Sequence, residues 1–343
     1  MSLKPPVEVP QGAIRLNTDS QKLEFYAQDQ WWEMATDVPN LGKVTNSPDS
    51  SGGPRGIFAG GADPSHSNVI QAFNIASQGN AFDFGDLSAA RYYIMGCASR
   101  TRAVWGGGNE GSGYVDTIEF NTIATTGDAV AFGELVGTDR HYGAGFANQT
   151  RGLYAGGESP GKTAEIDYIT IAATGNSVDF GDLSAARSSS SGFASPTRGI
   201  IAGGTEGSAV NTIDYVTIAS TGNAQDFGDQ ISTVYGGGGG GNSIRGVMMS
   251  GYQNPTNVST IQYLTIATRG NTQDFGDVTT QRRYGACCSS PTRAVYCGGL
   301  GSPAVEDRMD HITIATTGDA VDFGDISSHF AIPNGCSNAH GGL

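Results

Sequence analysis

Short apolar runs, alternations and glycine pairs set the pattern of this chain. Arg198-Gly199-Ile200-Ile201-Ala202-Gly203-Gly204 is an apolar run stopped by two glycines. Ile213-Asp214-Tyr215-Val216-Thr217-Ile218 mixes polar and apolar positions over the length of one strand, as a sheet with one buried face requires. Thr221-Gly222-Asn223 follows and predicts a tight turn, because glycine accepts a positive φ. Asp226-Phe227-Gly228-Asp229 predicts a third strand. The small-residue run from Arg187 to Ala194 predicts a fourth, placed where neighbouring sheets crowd together.

This unit is written six times. Phe-Gly-acid recurs at Phe84, Phe132, Phe180, Phe227, Phe275 and Phe323, about 48 residues apart, within the range of propeller repeats. Arg55, Arg102, Arg151, Arg198, Arg245 and Arg293 each open an apolar run in step with it. Four strands in each of six repeats predict an all-β, six-bladed β-propeller over residues 55–343. The first repeat lacks an inner strand and the chain ends with a spare one. Gly335-Cys336-Ser337 is in register with Gly96-Cys97-Ala98. Residues 329–337 are therefore expected to pair with the strand at 55–61 and leave no free edge.

Residues 1–41 do not follow the repeat. Three short strands are predicted within 12–34, carrying Ile14, Leu16, Phe25, Tyr26, Trp31 and Trp32. Such a meander is too small to bury a core alone. Those six residues are expected to attach the chain to a partner or to its own copies, with a trimer favoured. Residues 42–54, rich in Gly, Ser, Pro and Asn, read as a linker.

Composition narrows the class. Fifty-two glycines and 15% charged residues in 343 suit many short strands and tight turns. No apolar run is long enough to span a bilayer, so membrane insertion is not expected. The first six residues lack the apolar core of a signal peptide, which implies synthesis in a cytoplasm. A net charge of −14 argues against nucleic acid as partner. Five cysteines show no paired spacing. Cys97, Cys288 and Cys336 share one repeat position, which reads as a buried apolar site.

The pattern resembles the kelch repeat. A kelch blade has an Arg-led inner strand, a Gly-Gly doublet, an acid-Tyr strand and an outer aromatic. Arg187, Gly203-Gly204, Asp214-Tyr215 and Phe227 stand in those places, with Phe where kelch usually has Trp. The wording Ile-Thr-Ile-Ala-Thr-Thr-Gly-Asp-Ala-Val-Asp-Phe-Gly-Asp resembles kelch-type propellers in virion structural proteins of tailed phages, notably marine and cyanobacterial ones. Gly12-Ala13-Ile14-Arg15-Leu16-Asn17, with Leu23-Glu24-Phe25-Tyr26 and Trp31-Trp32-Glu33, resembles an attachment meander of phage tail and fibre proteins. The resemblance implies a non-enzymatic virion protein, made in the host cytoplasm and assembled with tail, baseplate or neck proteins. A tail fibre or appendage leads, with a host surface glycan or receptor as a further partner. A capsid or neck decoration protein is the first alternative, and a propeller enzyme acting on glycans the second.

The candidate chemistry is sparse. Asp83, Asp179, Asp226, Asp274 and Asp322 recur before Phe-Gly-acid, but one or two per blade cannot converge on a cation. They are expected to cap turns or pair with Arg102, Arg151 and Arg198. The run Gly236–Gly241 has no following Lys-Ser/Thr and no helix, so it reads as an irregular inner strand, not a phosphate cradle. Five scattered histidines suggest no catalytic set, and no cofactor or metal is expected. Variation is concentrated elsewhere. Turns such as Thr-Gly-Asn or Thr-Gly-Asp barely change, whereas the segments at 62–68, 109–115, 158–165, 205–210, 252–258 and 300–307 differ every time. A variable face on a repeated scaffold is where recognition is built. Tyr114, Lys162, Glu165, Tyr252 and Arg308 are the candidate contacts from these segments. Arg91, Arg187 and Arg282, which open inner strands, are candidate donors to sugar hydroxyls or carboxylates; the competing reading is that they only tie strands together.

Overall fold

A computed structural model describes residues 13–17, 22–28, 30–33, 53–62, 65–137, 139–302, 304–327, 331 and 333–343. The chain divides into two compact units, residues 1–53 and 54–343. Met34, most of the expected linker (42–52), Phe330 and Ile332 lie outside the described residues. In the first unit Ile14–Asn17, Lys22–Ala27 and Gln30–Glu33 form an antiparallel meander. Ile14 pairs with Phe25, and Phe25 with Trp32. The Arg15 Nε donates to Glu24 over 2.7 Å, and its guanidinium lies 4.1 Å above the Trp31 ring. Tyr26 meets Trp31 edge to face at 5.2 Å. Ile14 is 64% exposed.

The second unit is a six-bladed propeller of four-stranded antiparallel blades. No helix among the described residues is long and apolar enough to cross a membrane. Blade 4 shows the plan, inner to outer: Ser191–Ala194, Arg198–Ala202, Thr212–Thr217 and Gln225–Asp229. Blade 1 takes Arg55–Ala59, Val69–Asn74 and Phe82–Asp86 from the start of the repeats and Asn334–Ser337 from the end. Asn334 pairs with Ala59 and Ser337 with Gly56, so the ring closes as the unpaired register required. The glycine run differs from expectation. Gly238–Gly241 is a regular inner strand paired with Arg245–Gln253. An added Cβ on Gly238 would stand 2.6 Å from the Tyr296 ring, and one on Gly239 would stand 2.8 Å from the Gly192 carbonyl. Crowding, not looseness, selects glycine there. Blade 5 also departs at 252–258, where its second and third strands run on to pair Gln253 with Thr256.

The repeated marks turn out to be the seams between blades. The Thr-Gly-Asn/Asp turn of each blade docks on the outer strand of the blade before it. Gly222 N donates to Phe180 O (2.7 Å) and Ala224 N to Asp182 O (2.7 Å). The Asn223 side chain accepts from Asp182 N (3.2 Å). Gly79, Ala81 and Asn80 repeat this on Phe323 and Asp325, closing the circle. The glycine of Phe-Gly-acid is required by this approach: at Gly181 (φ 142) an added Cβ would stand 2.6 Å from the Gly222 carbonyl carbon. The preceding phenylalanine is buried edge to face against the third strand, as in Tyr215–Phe227 at 5.9 Å.

The second arginine series crosses the same seams. Arg198 lies 5.0 Å over the Tyr215 ring, and its Nη1 donates to Ile266 O of blade 5 (3.0 Å). Arg55, Arg102, Arg151, Arg245 and Arg293 likewise reach a carbonyl of the next blade. This corrects the expectation that Arg102, Arg151 and Arg198 pair with the repeated acids. Asp83, Asp179, Asp226, Asp274 and Asp322 point to solvent from the outer strands, because the arginines start at the opposite side of the third strand.

Arg91, Arg187 and Arg282 are fully buried, as is Arg140. Arg187 Nη2 pairs with Asp214 Oδ2 at 3.1 Å and Arg282 Nη2 with Asp310 Oδ2 at 2.9 Å. Arg140 pairs with Asp167 at 2.6 Å, and Arg91 with Glu119. The acids also hold the connector entering the blade: Ser184 Oγ donates to Asp214 over 2.7 Å. These arginines therefore offer no fork to a ligand; their role is to tie connector to blade. Their absence is matched by a second change. Blade 5 has Val234 and Gln262, and the Gln262 Oε1 accepts from Ile231 N over 2.9 Å. Blade 1 has Gln71, which accepts from Ser327 N over 2.9 Å. Burial lowers the Arg187 guanidinium despite its partner. It raises the Asp167 carboxyl to about 6 against the pull of Arg140. At Arg187 and Asp167 desolvation thus outweighs the partner's pull.

Two outcomes follow. Arg187→Val leaves the Asp214 carboxylate buried without a cation and should cost about 3–5 kcal/mol in denaturant unfolding. Adding Asp214→Gln, which copies blade 5, should restore most of that loss; a double variant no better than the single one overturns the tie. Deleting residues 328–343 bares the Arg55–Ala59 edge. The product should aggregate or melt well below the full chain. A soluble truncation with unchanged Tm contradicts closure by the last strand.

Candidate recognition face

The two faces of the propeller are made differently. The lower face carries the turns that repeat. The upper face carries the variable segments together with the connectors that enter each inner strand. Connector and variable segment pair within each blade, as Tyr92 with Asn109, Ser188 with Thr205 and Tyr235 with Tyr252.

One residue in each of five connectors, among the described residues, takes a left-handed conformation. Tyr93, Tyr142, Ser189 and Tyr284 have φ of 55, 61, 58 and 57, and Gly236 has 67. A backbone belt around the channel mouth requires it. Tyr142 N donates to Tyr93 O (3.1 Å), Ser189 N to Tyr142 O (2.7 Å), Gly236 N to Ser189 O (2.9 Å) and Tyr284 N to Gly236 O (2.6 Å). Glycine fits such a position without strain; a tyrosine there costs of order 1–3 kcal/mol. Three of the five described positions nevertheless carry tyrosine.

The left-handed backbone turns those rings over the channel. Tyr93 and Tyr142 stack at 3.3 Å, and Tyr284, from blade 6, meets Tyr93 edge-on at 5.5 Å and Tyr142 at a tilt at 5.8 Å. Gly236 leaves room for Tyr284, whose ring an added Cβ would meet at 2.7 Å. The cluster extends outward in two arms. One runs through His141 to Tyr114, stacked at 4.2 Å, and through Tyr92 to His66 at 4.5 Å. The other runs through Tyr235 to Tyr252. Arg283 lies 4.4 Å over Tyr252 and 5.8 Å from Tyr284. Of 13 tyrosines, seven join this tract, all half-buried: Tyr92, Tyr93, Tyr114, Tyr142, Tyr235, Tyr252 and Tyr284.

Burial favours the neutral forms of the central rings. Burial pushes the Tyr93, Tyr142 and Tyr284 phenols up and the His141 imidazole down. His141 Nδ1 lies 2.8 Å from Glu158 O. A carbonyl only accepts, so Nδ1 carries the hydrogen and Nε2 is left as an acceptor. Below the cap the channel holds a space of about 70 Å³, far smaller than the roughly 300–1,000 Å³ of enclosed small-molecule sites. A space of that size does not enclose such a ligand, which leaves the outer surface of the tract as the candidate face. At the lower mouth the last residues cross the channel: His340 Nε2 donates to Ala98 O over 2.7 Å and Nδ1 accepts from Gly342 N over 3.1 Å. Burial lowers this imidazole to about 4.

Among the residues read from sequence, Tyr114 and Tyr252 fall in the tract. Lys162 is half-buried in the blade 3 segment, bridged to Glu158. Glu165 takes part in an ion pair with Arg140 at 3.2 Å. Arg308 Nη1 donates to the Thr279 and Thr280 hydroxyls, both at 3.4 Å. These three are not brought together. Missed were Tyr92, Tyr93, His141, Tyr142, Tyr235, Arg283 and Tyr284. Their signal is the aromatic that follows the connector arginine by two in Arg91-Tyr92-Tyr93, Arg140-His141-Tyr142 and Arg282-Arg283-Tyr284. The five cysteines are buried and unpaired, and among the described residues no His, Cys, Asp or Glu group could hold a metal ion. No protein-family model matches the chain, and no curated protein matches it in sequence.

Proposed function

We propose that this is a non-enzymatic virion structural protein of a tailed phage, a tail fibre or appendage whose propeller is a rigid recognition head. The observation that carries recognition is the aromatic tract: strained tyrosines and variable segments share the upper face, while the repeated turns build seams. Tyrosine supplies rigid contact area at low entropic cost. The virion setting rests on the resemblance of the repeat wording and of the opening meander. In this reading residues 1–41 attach the head to other tail, baseplate or neck proteins, or assemble it as a trimer, and the head contacts host surface or a particle partner.

Light scattering tests the attachment. The chain from about residue 50 onward should be a monomer, and the full chain an oligomer. A propeller that keeps the full-chain oligomer puts the interface in the blades. The head is tested by Tyr114→Ala with Tyr252→Ala. Both rings are half-buried against His141 and Tyr235, so Tm should fall somewhat while the blades stay folded. Adsorption of particles to host cells should fall while assembly, seen in negative stain with a tagged copy, stays normal. Normal adsorption together with normal assembly overturns the upper face as the contact. A tag distributed over the capsid shell would favour a decoration protein.

A further inference from the structure

We infer that the aromatic tract binds a sugar chain bearing a carboxylate, with the anion held by Arg283. This rests on the recognition reading and names its ligand.

The argument begins with the arginines. Each of the other series is committed: to a carbonyl of the next blade at Arg198 and its equivalents, or to a buried acid at Arg187 and its equivalents. Arg283 follows neither rule. It is half-buried on the upper face and forms no ion pair among the described residues. Its Nη1 donates to Asn257 Oδ1 over 3.1 Å, while its guanidinium lies over Tyr252 and beside Tyr284. Asn257 is itself fixed, since its Nδ2 donates to Leu300 O over 3.0 Å. A cation on an aromatic face, with one nitrogen anchored and the rest of its fork uncommitted, is pre-organised for a carboxylate.

The surroundings select the rest of the ligand. Neutral phenol rings offer flat faces to the C–H side of a pyranose, and their hydroxyls offer hydrogen bonds at the edge. A polyphosphate or nucleic acid needs several cations along its length, whereas a single carboxylate is matched by Arg283 even in a chain of net charge −14. A cationic ligand would meet Arg283 itself. A peptide added as an extra strand needs an open edge, and the connectors and variable segments already pair with each other. An acidic sugar laid along the Tyr284–Tyr252 arm satisfies both the rings and the cation.

The test uses the full chain and isothermal titration against sialylated and uronic-acid oligosaccharides, each with its carboxyl-reduced counterpart. At least one acidic chain should bind, and its reduced form about tenfold more weakly, as the loss of one charge-assisted bond predicts. Arg283→Gln should bring the acidic chain down to its reduced counterpart while the protein still melts cooperatively. Tyr252→Ala should weaken both forms. If Arg283→Gln does not fold, the acidic-to-reduced ratio of the native chain decides alone. Absence of binding by every acidic chain, or equal binding of a chain and its reduced form, overturns the inference. If no sugar binds while Tyr114→Ala with Tyr252→Ala still lowers adsorption, the upper face recognises something else and only the ligand assignment fails. If acidic sugars bind but adsorption is unaffected, the ligand stands and the host-contact reading fails.

Discussion

Everything in the propeller depends on the docking of one blade's turn onto the preceding blade's outer strand. Two backbone hydrogen bonds and one Asn or Asp side chain make each contact. Two of the three bonds join backbone groups, so they survive any change of side chain that spares the glycine. The arginine that spans the same seam adds a charge-assisted bond to a carbonyl and a ring stack. Buried phenylalanines then fill the space behind it. A ring built this way has one interface used six times.

That division frees the upper face. Seams lie along the outer strands and lower turns, so the variable segments carry little of the ring's cohesion. The connectors are fixed independently, by buried arginine–acid pairs in four blades and by glutamine in the other two. Backbone strain at Tyr93, Tyr142 and Tyr284 is tolerated because the belt and these ties over-determine the connector.

The six-bladed plan was legible because its causes are local and repeated. Phe-Gly-acid, Thr-Gly-Asn and the arginine that opens each second strand are the seam itself, written in order. Closure was legible from the register of Gly335-Cys336-Ser337. The connector arginines were harder to read. Each pairs with an acid 27 or 28 positions on, as at Arg91–Glu119 and Arg140–Asp167. Spacing alone does not tell a buried tie from an exposed fork. The joint change to Val234 and Gln262 was present as a clue. The aromatic tract was not legible as one site, since only the ring geometry brings Tyr284 of blade 6 over Tyr93 and Tyr142. The glycine run misled for a related reason: crowding by Tyr296 and Gly192 comes from neighbouring blades, not from its own.

Closure by the last strand also sets the order of events during synthesis. Ala59 waits for Asn334, its partner across blade 1. At ~5–20 residues per second the partner emerges roughly 15–55 s later. Throughout that interval blades can form one by one, each docking on its predecessor, yet the inner edge of Arg55–Ala59 stays open. The nascent chain is thus a growing arc with one sticky end. Its greatest exposure to pairing with a second nascent chain comes just before the final strand leaves the ribosome.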